Sequence, residues 1–234
     1  MRQSGYLLAC GAVVGLLGVF LLGPTRAAEN TLTAEEQAQG WRLLFDGKSL
    51  EGWVVPGRKE GWTVEDGTIV CQAQGGGDLR TAKQYDDFDL SLDFRLTPGA
   101  NSGVFIRVGD PNDPVQTGIE VQLYDSFGKQ PSRWECGAIY DCLAPSQIAC
   151  RPAGEWNTLQ VTCRAKRITV RLNHEQIIDM DLNRWTTAHK NPDGSDNKFR
   201  TPYREMPRGG FISLQDHGHR IWFRNLKIRQ LAQR

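Results

Sequence analysis

Phe88-Asp89-Leu90-Ser91-Leu92-Asp93-Phe94-Arg95-Leu96 alternates without a break between apolar and polar side chains. A period of two marks a β-strand that buries one face and wets the other, as strands of antiparallel sheets do. Phe88, Leu90, Leu92, Phe94 and Leu96 point to the core side, and Asp89, Ser91, Asp93 and Arg95 point away. Pro98-Gly99-Ala100-Asn101 then reverses the chain.

The same rhythm extends in both directions. Upstream, short strands are expected over 41–45, 63–65 and 68–72, the last two joined by an Asp66-Gly67 hairpin. Downstream they are expected over 103–108, 118–124, 137–141, 157–164, 167–173, 210–216 and 220–229. Gly is abundant at 25 residues, and helical patterning is scarce. This predicts an all-β chain, a jelly-roll β-sandwich of two antiparallel sheets. The polar lead-in 29–40 has room for one short helix. The stretch 185–208 is long and irregular, the kind of loop that is functional or mobile.

The first 28 residues read differently. Arg2 precedes an almost wholly apolar run over 6–22, and small residues follow Pro24. That layout is a secretory signal peptide, with an uncleaved anchor as the alternative. An exported protein is expected, in the periplasm, the medium or the cell envelope, touching membrane only through that segment if it stays. Leu7-Leu8-Ala9-Cys10 lies at the start of the apolar run instead of after it, so it is not read as a lipoprotein box. Residues 41–230 form the single expected domain. Net charge is +1 with both signs scattered, so no nucleic-acid partner is expected.

Beyond Cys10, the chain holds Cys71, Cys136, Cys142, Cys150 and Cys163. Export permits disulfides, and an odd number leaves at least one thiol unpaired within the chain. The clustering of Cys136, Cys142 and Cys150 admits a local bridge. Small buried hydrophobes are the equal alternative.

Strand alternation also sorts the polar residues. Opposite core-facing Ile119, Val121 and Leu123 lie Glu120, Gln122 and Tyr124. Opposite Val104, Ile106 and Val108 lie Phe105 and Arg107. Opposite Ile212 and Leu214 lie Phe211, Ser213, Gln215 and His217, with Asp216 at the strand end; Tyr140 and Asp141 close a shorter segment. If these strands are neighbours, Arg107, Glu120, Gln122, Gln215 and His217 share one face. Tyr124 and Tyr140 would rim it, and Trp134 and Trp53 could stack on sugar rings. That mixture suits carbohydrate: amides and carboxylates for hydroxyls, aromatic rings for C–H faces. Each residue alone is better read as solvated surface; the set is better read as a site. His217 is the histidine favoured as a base, since imidazole can be neutral and basic near pH 7. An ordinary glycosidase needs two carboxyls about 5–9.5 Å apart, and no second carboxylate shares the Glu120 face.

Several segments together resemble a known family. They are 44–53 (LFDGKSLEGW), 62–67 (WTVEDG), 98–104 (PGANSGV), 118–123 (GIEVQL), 137–141 (GAIYD), 154–157 (GEWN), 214–218 (LQDHG) and 222–225 (WFRN). In that order they are similar to the 3-keto-disaccharide hydrolase family, over about residues 41–230. The resemblance implies a concanavalin A-like fold and cleavage of glycosides already oxidised at the 3-hydroxyl by a separate sugar dehydrogenase. It implies Arg107, Glu120, Gln122, Tyr140, Gln215, Asp216 and His217 as the pocket. A C3 ketone acidifies the C2 proton, so a base can form an enolate that expels the C1 oxygen, and water can add back. His217 or Glu120 would be the base, Arg107 the enolate stabiliser and Tyr140 the acid, with Gln122, Tyr124, Trp134, Asp141, Gln215 and Asp216 binding substrate. The sequence specifies no cofactor and leaves metal dependence open; a divalent cation on Glu120 or Asp216 could replace Arg107 as electrophile. The competing expectations are a non-catalytic carbohydrate-binding module and an envelope interaction domain.

Overall fold

The structure, a computed structural model, describes Met1 and residues 29–232. The signal segment expected within 1–28 lies outside the described residues, apart from Met1. Among the described residues no helix is long and apolar enough to cross a membrane.

Thirteen strands are described: β1 Arg42–Leu43, β2 Trp53–Val54, β3 Trp62–Glu65, β4 Thr68–Cys71, β5 Leu79–Thr81, β6 Phe88–Leu96, β7 Asn101–Val108, β8 Ile119–Tyr124, β9 Trp156–Arg164, β10 Arg167–Leu172, β11 Glu175–Asp181, β12 Phe211–Leu214 and β13 Ile221–Gln230. They form two antiparallel sheets. The larger runs β11-β10-β9-β6-β13-β4-β3, with β1 also on β13; the smaller runs β2-β5-β12-β7-β8. This is the expected all-β jelly-roll sandwich. The lead-in carries the expected short helix, α1 Ala34–Ala38, closed by a Thr33/Glu36 capping box.

The core lies between the sheets. The apolar face of β6 packs there, each of Phe88, Leu90, Leu92, Phe94 and Leu96 being almost fully buried. Val104, Ile106, Ile119, Val121, Leu123, Ile212 and Leu214 close it from the smaller sheet.

The structure departs from the sequence reading at four segments. Residues 137–141 are a tight loop bridged at Ile139 to Val121 and Leu143, not a strand. β2 and β5 were masked by their brevity, β5 also by the Gly75-Gly76-Gly77 run before it. β11 was masked because Ile177 and Ile178, adjacent in sequence, are both buried beside a register shift at Val170/Arg171, which breaks the alternation.

A larger correction concerns Arg107. Phe211 pairs with Val108 but Ser213 pairs with Phe105, so two residues of β7 face one of β12. Such a bulge adds a residue and re-aims the side chains beyond it. Arg107 takes φ +56° and turns off the Glu120 face. Its guanidinium donates to Asp87 Oδ1 at 3.2 Å and to the Ala165 carbonyl at 2.8 Å. Gly210 permits the bulge, because a Cβ there would strike the Arg107 backbone. Arg107 is 1% exposed and is a structural ion-pair partner, not part of the site.

Candidate functional site

The outer face of the smaller sheet gathers the polar residues in rows. Arg80, Ser213, Phe105 and Glu120 are successive cross-strand partners on β5, β12, β7 and β8. Directly opposed residues share a face, so these four lie side by side. In the next row Gly103 opposes Gln122, and the Gln215 amide donates to the Gly103 carbonyl at 2.9 Å.

Glu120 is the centre of this face. It is only 5% exposed. Burial pushes its carboxyl up to about 7; Lys198 opposes the shift, the Asp78 charge adds to it, and a Gln215 side-chain hydrogen bond opposes it. A second carboxyl behaves similarly. Burial pushes Asp78 up to about 6, with the neighbouring Asp216 charge adding to the shift, while the Asp216 N–H bond and His217 oppose it. Two acids that sit near neutrality beside each other are the kind of perturbed pair that functional sites collect.

The loop 185–208 supplies the cation. Lys198 Nζ stands 4.2 Å from the centre of the Tyr140 ring, and the Lys198 N–H donates to Asp141 Oδ2 at 2.8 Å. The loop is held to the 133–141 segment by Asn191 Nδ2 on the Asp141 carbonyl at 3.1 Å and Arg133 on Ser195 Oγ at 2.5 Å. The Tyr140 N–H donates to the Glu120 carbonyl at 3.0 Å. Burial, then the charges of Glu120 and Asp141, raise the Tyr140 phenol above its ordinary value, keeping it protonated near neutral pH. Trp134, 48% exposed, is oriented by its Nε1–H on Asp141 Oδ1 at 3.2 Å.

Two amide oxygens are left over. Gln122 donates Nε2 to Asn101 Oδ1 at 3.2 Å and to the Trp134 carbonyl at 3.3 Å, yet its Oε1 is buried without a partner. Gln215 Oε1 is also buried and unpartnered. Buried acceptors without donors are costly, and a ligand hydroxyl would satisfy them.

The structure thus brings Glu120, Gln122, Tyr140 and Gln215 together, with Trp134 and Asp141 along one margin and His217 along the other. His217 is exposed beyond the end of β12 and stacks on His219 at 6.4 Å. Asp216 takes a supporting place: its carboxylate accepts the Gly76 N–H at 2.9 Å and the Gly218 N–H at 3.1 Å. Tyr124 lies at the β8 end under Lys129 Nζ, 4.1 Å from its ring. Trp53 is buried with its Nε1–H on the Leu44 carbonyl at 2.6 Å, so it offers no stacking face. No group of three or more His, Cys, Asp or Glu side chains able to hold a metal occurs among the described residues.

Sequence reasoning missed Asp78 and Lys198. Lys198 sits in an aperiodic loop and carries no local signal. Asp78 follows Gly75-Gly76-Gly77, where the backbone must pass close: a Cβ on Gly76 would lie 2.5 Å from Trp62 Cδ1. That run marks a backbone pressed against its neighbours, and it was the available clue.

A family model described as a 3-keto-alpha-glucoside-1,2-lyase-like domain matches residues 40–229. A Bacteroides thetaiotaomicron protein named 3-keto-disaccharide hydrolase is 28% identical over 244 residues, spanning 88% of this chain and 84% of that protein. Two solved Parabacteroides distasonis structures, both provisionally named glycosyl hydrolases, are similar. One is 37% identical with a TM-score of 0.74, covering 82% of this chain and 99% of its own. The other is 30% identical with a TM-score of 0.73, covering 88% of this chain and 100% of its own.

Proposed function

The chain belongs to the 3-keto-alpha-glucoside-1,2-lyase-like domain family, and from that premise we propose a carbohydrate-active hydrolase that cleaves 3-keto-glycosides by base-initiated elimination. The observation that carries this reading is Glu120, a buried carboxyl near pH 7 beside a cation, a phenol and two amides.

The C3 ketone makes the C2–H bond acidic. Glu120, as carboxylate, takes that proton, and the electron pair moves onto the ketone oxygen as an enolate. Lys198 stabilises the enolate, the place the sequence reading gave to Arg107. The enolate collapses, the C1–O bond breaks, and Tyr140 gives its proton to the departing oxygen. The product is an enone; water adding across it completes a net hydrolysis. A base tuned close to the working pH combines availability with basicity. Gln122 and Gln215 would accept ring hydroxyl protons, and Trp134 would pack against the leaving group. A divalent cation on Glu120 or Asp216 is the other electrophile this chemistry admits. His217, exposed near Asp78, is the alternative base. Export to the cell envelope or beyond, and a separate dehydrogenase supplying the ketone, complete the reading.

The test is cleavage of a 3-keto-disaccharide against its unoxidised parent, with and without chelator, for the wild type, Glu120→Gln and His217→Ala. The proposal expects the keto sugar alone to be cleaved, without dependence on metal, and the loss to follow Glu120. Loss following His217 alone would move the base there. Binding of sugar without product in every arm would make the domain a carbohydrate-binding module.

A further inference from the structure

The outer face of the larger sheet carries a second cluster, on the reverse of the sandwich from Glu120. Arg95 on β6 opposes Trp156 on β9 to one side and Trp222 on β13 to the other. Directly opposed residues share a face, so its guanidinium lies between two indoles. The guanidinium carbon stands 5.0 Å from the centre of the Trp156 ring and 4.4 Å from that of Trp222. Arg224, in the next row, lies over Trp156 at 4.0 Å.

Stacking occupies the planes of a guanidinium and leaves its N–H edge to donate. Here the edges are not fully used. The Nε–H of Arg95 is buried without an acceptor, and so is that of Arg224, whose side chain is only 7% exposed. Glu29 takes another nitrogen of Arg224, and Glu65 is paired with Arg220 at 2.7 Å. Buried donors without acceptors are costly, and an incoming acceptor relieves them.

Beside these donors opens a cavity of about 290 Å³, walled by Arg95, Arg224, the two indoles and the carboxylates of Glu29, Glu65 and Asp66. Asn30 builds one side of it. It exchanges hydrogen bonds with Asn225 at 2.7 and 2.9 Å and donates Nδ2 to the Gly67 carbonyl at 2.8 Å, which fixes the lead-in against the β3–β4 turn. Ligand pockets begin at about 300 Å³, so this one is sized for a single small molecule. Its chemistry narrows the choice. An anion would satisfy the arginines and meet three carboxylates. A cation would meet the two guanidiniums. A hydroxyl both donates and accepts, so it satisfies the two kinds of wall together, while indole edges pack against C–H groups.

We propose that this cavity binds a neutral hexopyranose and is a carbohydrate site separate from the Glu120 face. Arg95 and Arg224 donate to ring hydroxyl oxygens, and the three carboxylates accept hydroxyl protons. The two faces point away from each other, so one molecule holds a glycan with one and presents the other to a second sugar. The assignment does not depend on the reaction at Glu120.

The experiment titrates the isotope-labelled full chain with methyl α-glucopyranoside, and separately with sodium glucuronate. NMR follows the Arg95 Nε–H and the indole N–H signals of Trp156 and Trp222. Saturable shifts of all three with the glucoside are expected, unchanged in Glu120→Gln, with weaker binding of glucuronate. In Arg95→Gln the indole response should need about tenfold more glucoside or greater, the cost of losing hydrogen bonds from a charged donor. Arg95→Lys, which keeps the charge between the indoles but not the Nε–H, should behave the same way if the glutamine variant fails to fold. Absence of saturable shifts at these three signals in the wild type would overturn the proposal, whatever the variants do. Tighter binding of glucuronate than of the glucoside would overturn it too, as would undiminished affinity in a folded Arg95 variant.

Discussion

Gly103 lies under the carboxylate of Glu120: a Cβ built on it would stand 2.6 Å from Glu120 Oε1 and 2.9 Å from Glu120 Cγ. Gly103 opposes Gln122 and Phe105 opposes Glu120, so Gly103 is the diagonal neighbour of Glu120, two positions out of register, and the side chain folds over the bare glycine. Gly103 has no positive φ, so its backbone admits another residue. Gly103→Ala should keep the fold and displace the carboxylate. A misplacement on the order of 1 Å can cost up to about 10²-fold in rate. Steady-state kinetics on a 3-keto-glycoside should show a fall in kcat/KM with an unchanged circular dichroism spectrum.

The raised Glu120 carboxyl predicts two pH effects of opposite sense. If the carboxylate is the base, kcat/KM should climb as pH rises through about 7 and level above it. Stability should run the other way. The folded value lies above the ordinary one of 4.5, so the native state holds the proton more tightly between 4.5 and about 7. Stability is then lost progressively as pH rises through that window. Glu120→Gln should flatten this fall, gaining up to about 3 kcal/mol over wild type at pH 8, while losing about 10²–10⁴-fold in kcat. Thermal melts across pH 4–9 check the first statement, and turnover checks the second.

Arg107 should behave as structure. It and Asp87 are both buried, and Arg208 and the Ala165 N–H complete the Asp87 carboxylate. Chiefly the Arg208 hydrogen bond holds Asp87 below the usual carboxylate range. That contribution is present above the ordinary carboxylate value and is lost as pH falls through the lower folded one. Removing one partner of a buried pair costs about 3–5 kcal/mol. Arg107→Ala should therefore lower denaturant stability by that order, while turnover per folded molecule stays near wild type.

Lys198 should behave as chemistry. It is exposed and bound to the fold through its backbone, so Lys198→Met should leave the melting temperature nearly unchanged. Losing an enolate-stabilising donor should lower kcat by about 10²–10³-fold. Lys198→Arg should recover part of the loss. Equal turnover in all three proteins would exclude the lysine from the reaction.

The sandwich was readable because β6 and its neighbours keep a strict period of two, which a sheet with one buried face imposes. Glu120 and Gln122 were readable for the same reason, alternating with core residues along β8, and Gln215 because it continues the alternation of β12 one residue past its end. Arg107 was misread where a bulge broke that period. Trp53 was misread because β2, only two residues long, shows no alternation from which its burial could be read. Lys198 was out of reach because its position depends on how the 185–208 loop folds back over Tyr140, a contact between segments more than fifty residues apart.

The most direct measurement follows the C2 hydrogen. A 3-keto-disaccharide carrying deuterium at C2 is turned over in ordinary water, and the released sugar is read by mass spectrometry. Elimination through Glu120 predicts loss of the deuterium in step with bond cleavage, a slowed rate for the labelled substrate, and disappearance of both in Glu120→Gln. Cleavage that leaves the deuterium in place would contradict removal of the C2 proton and the role assigned to this carboxyl.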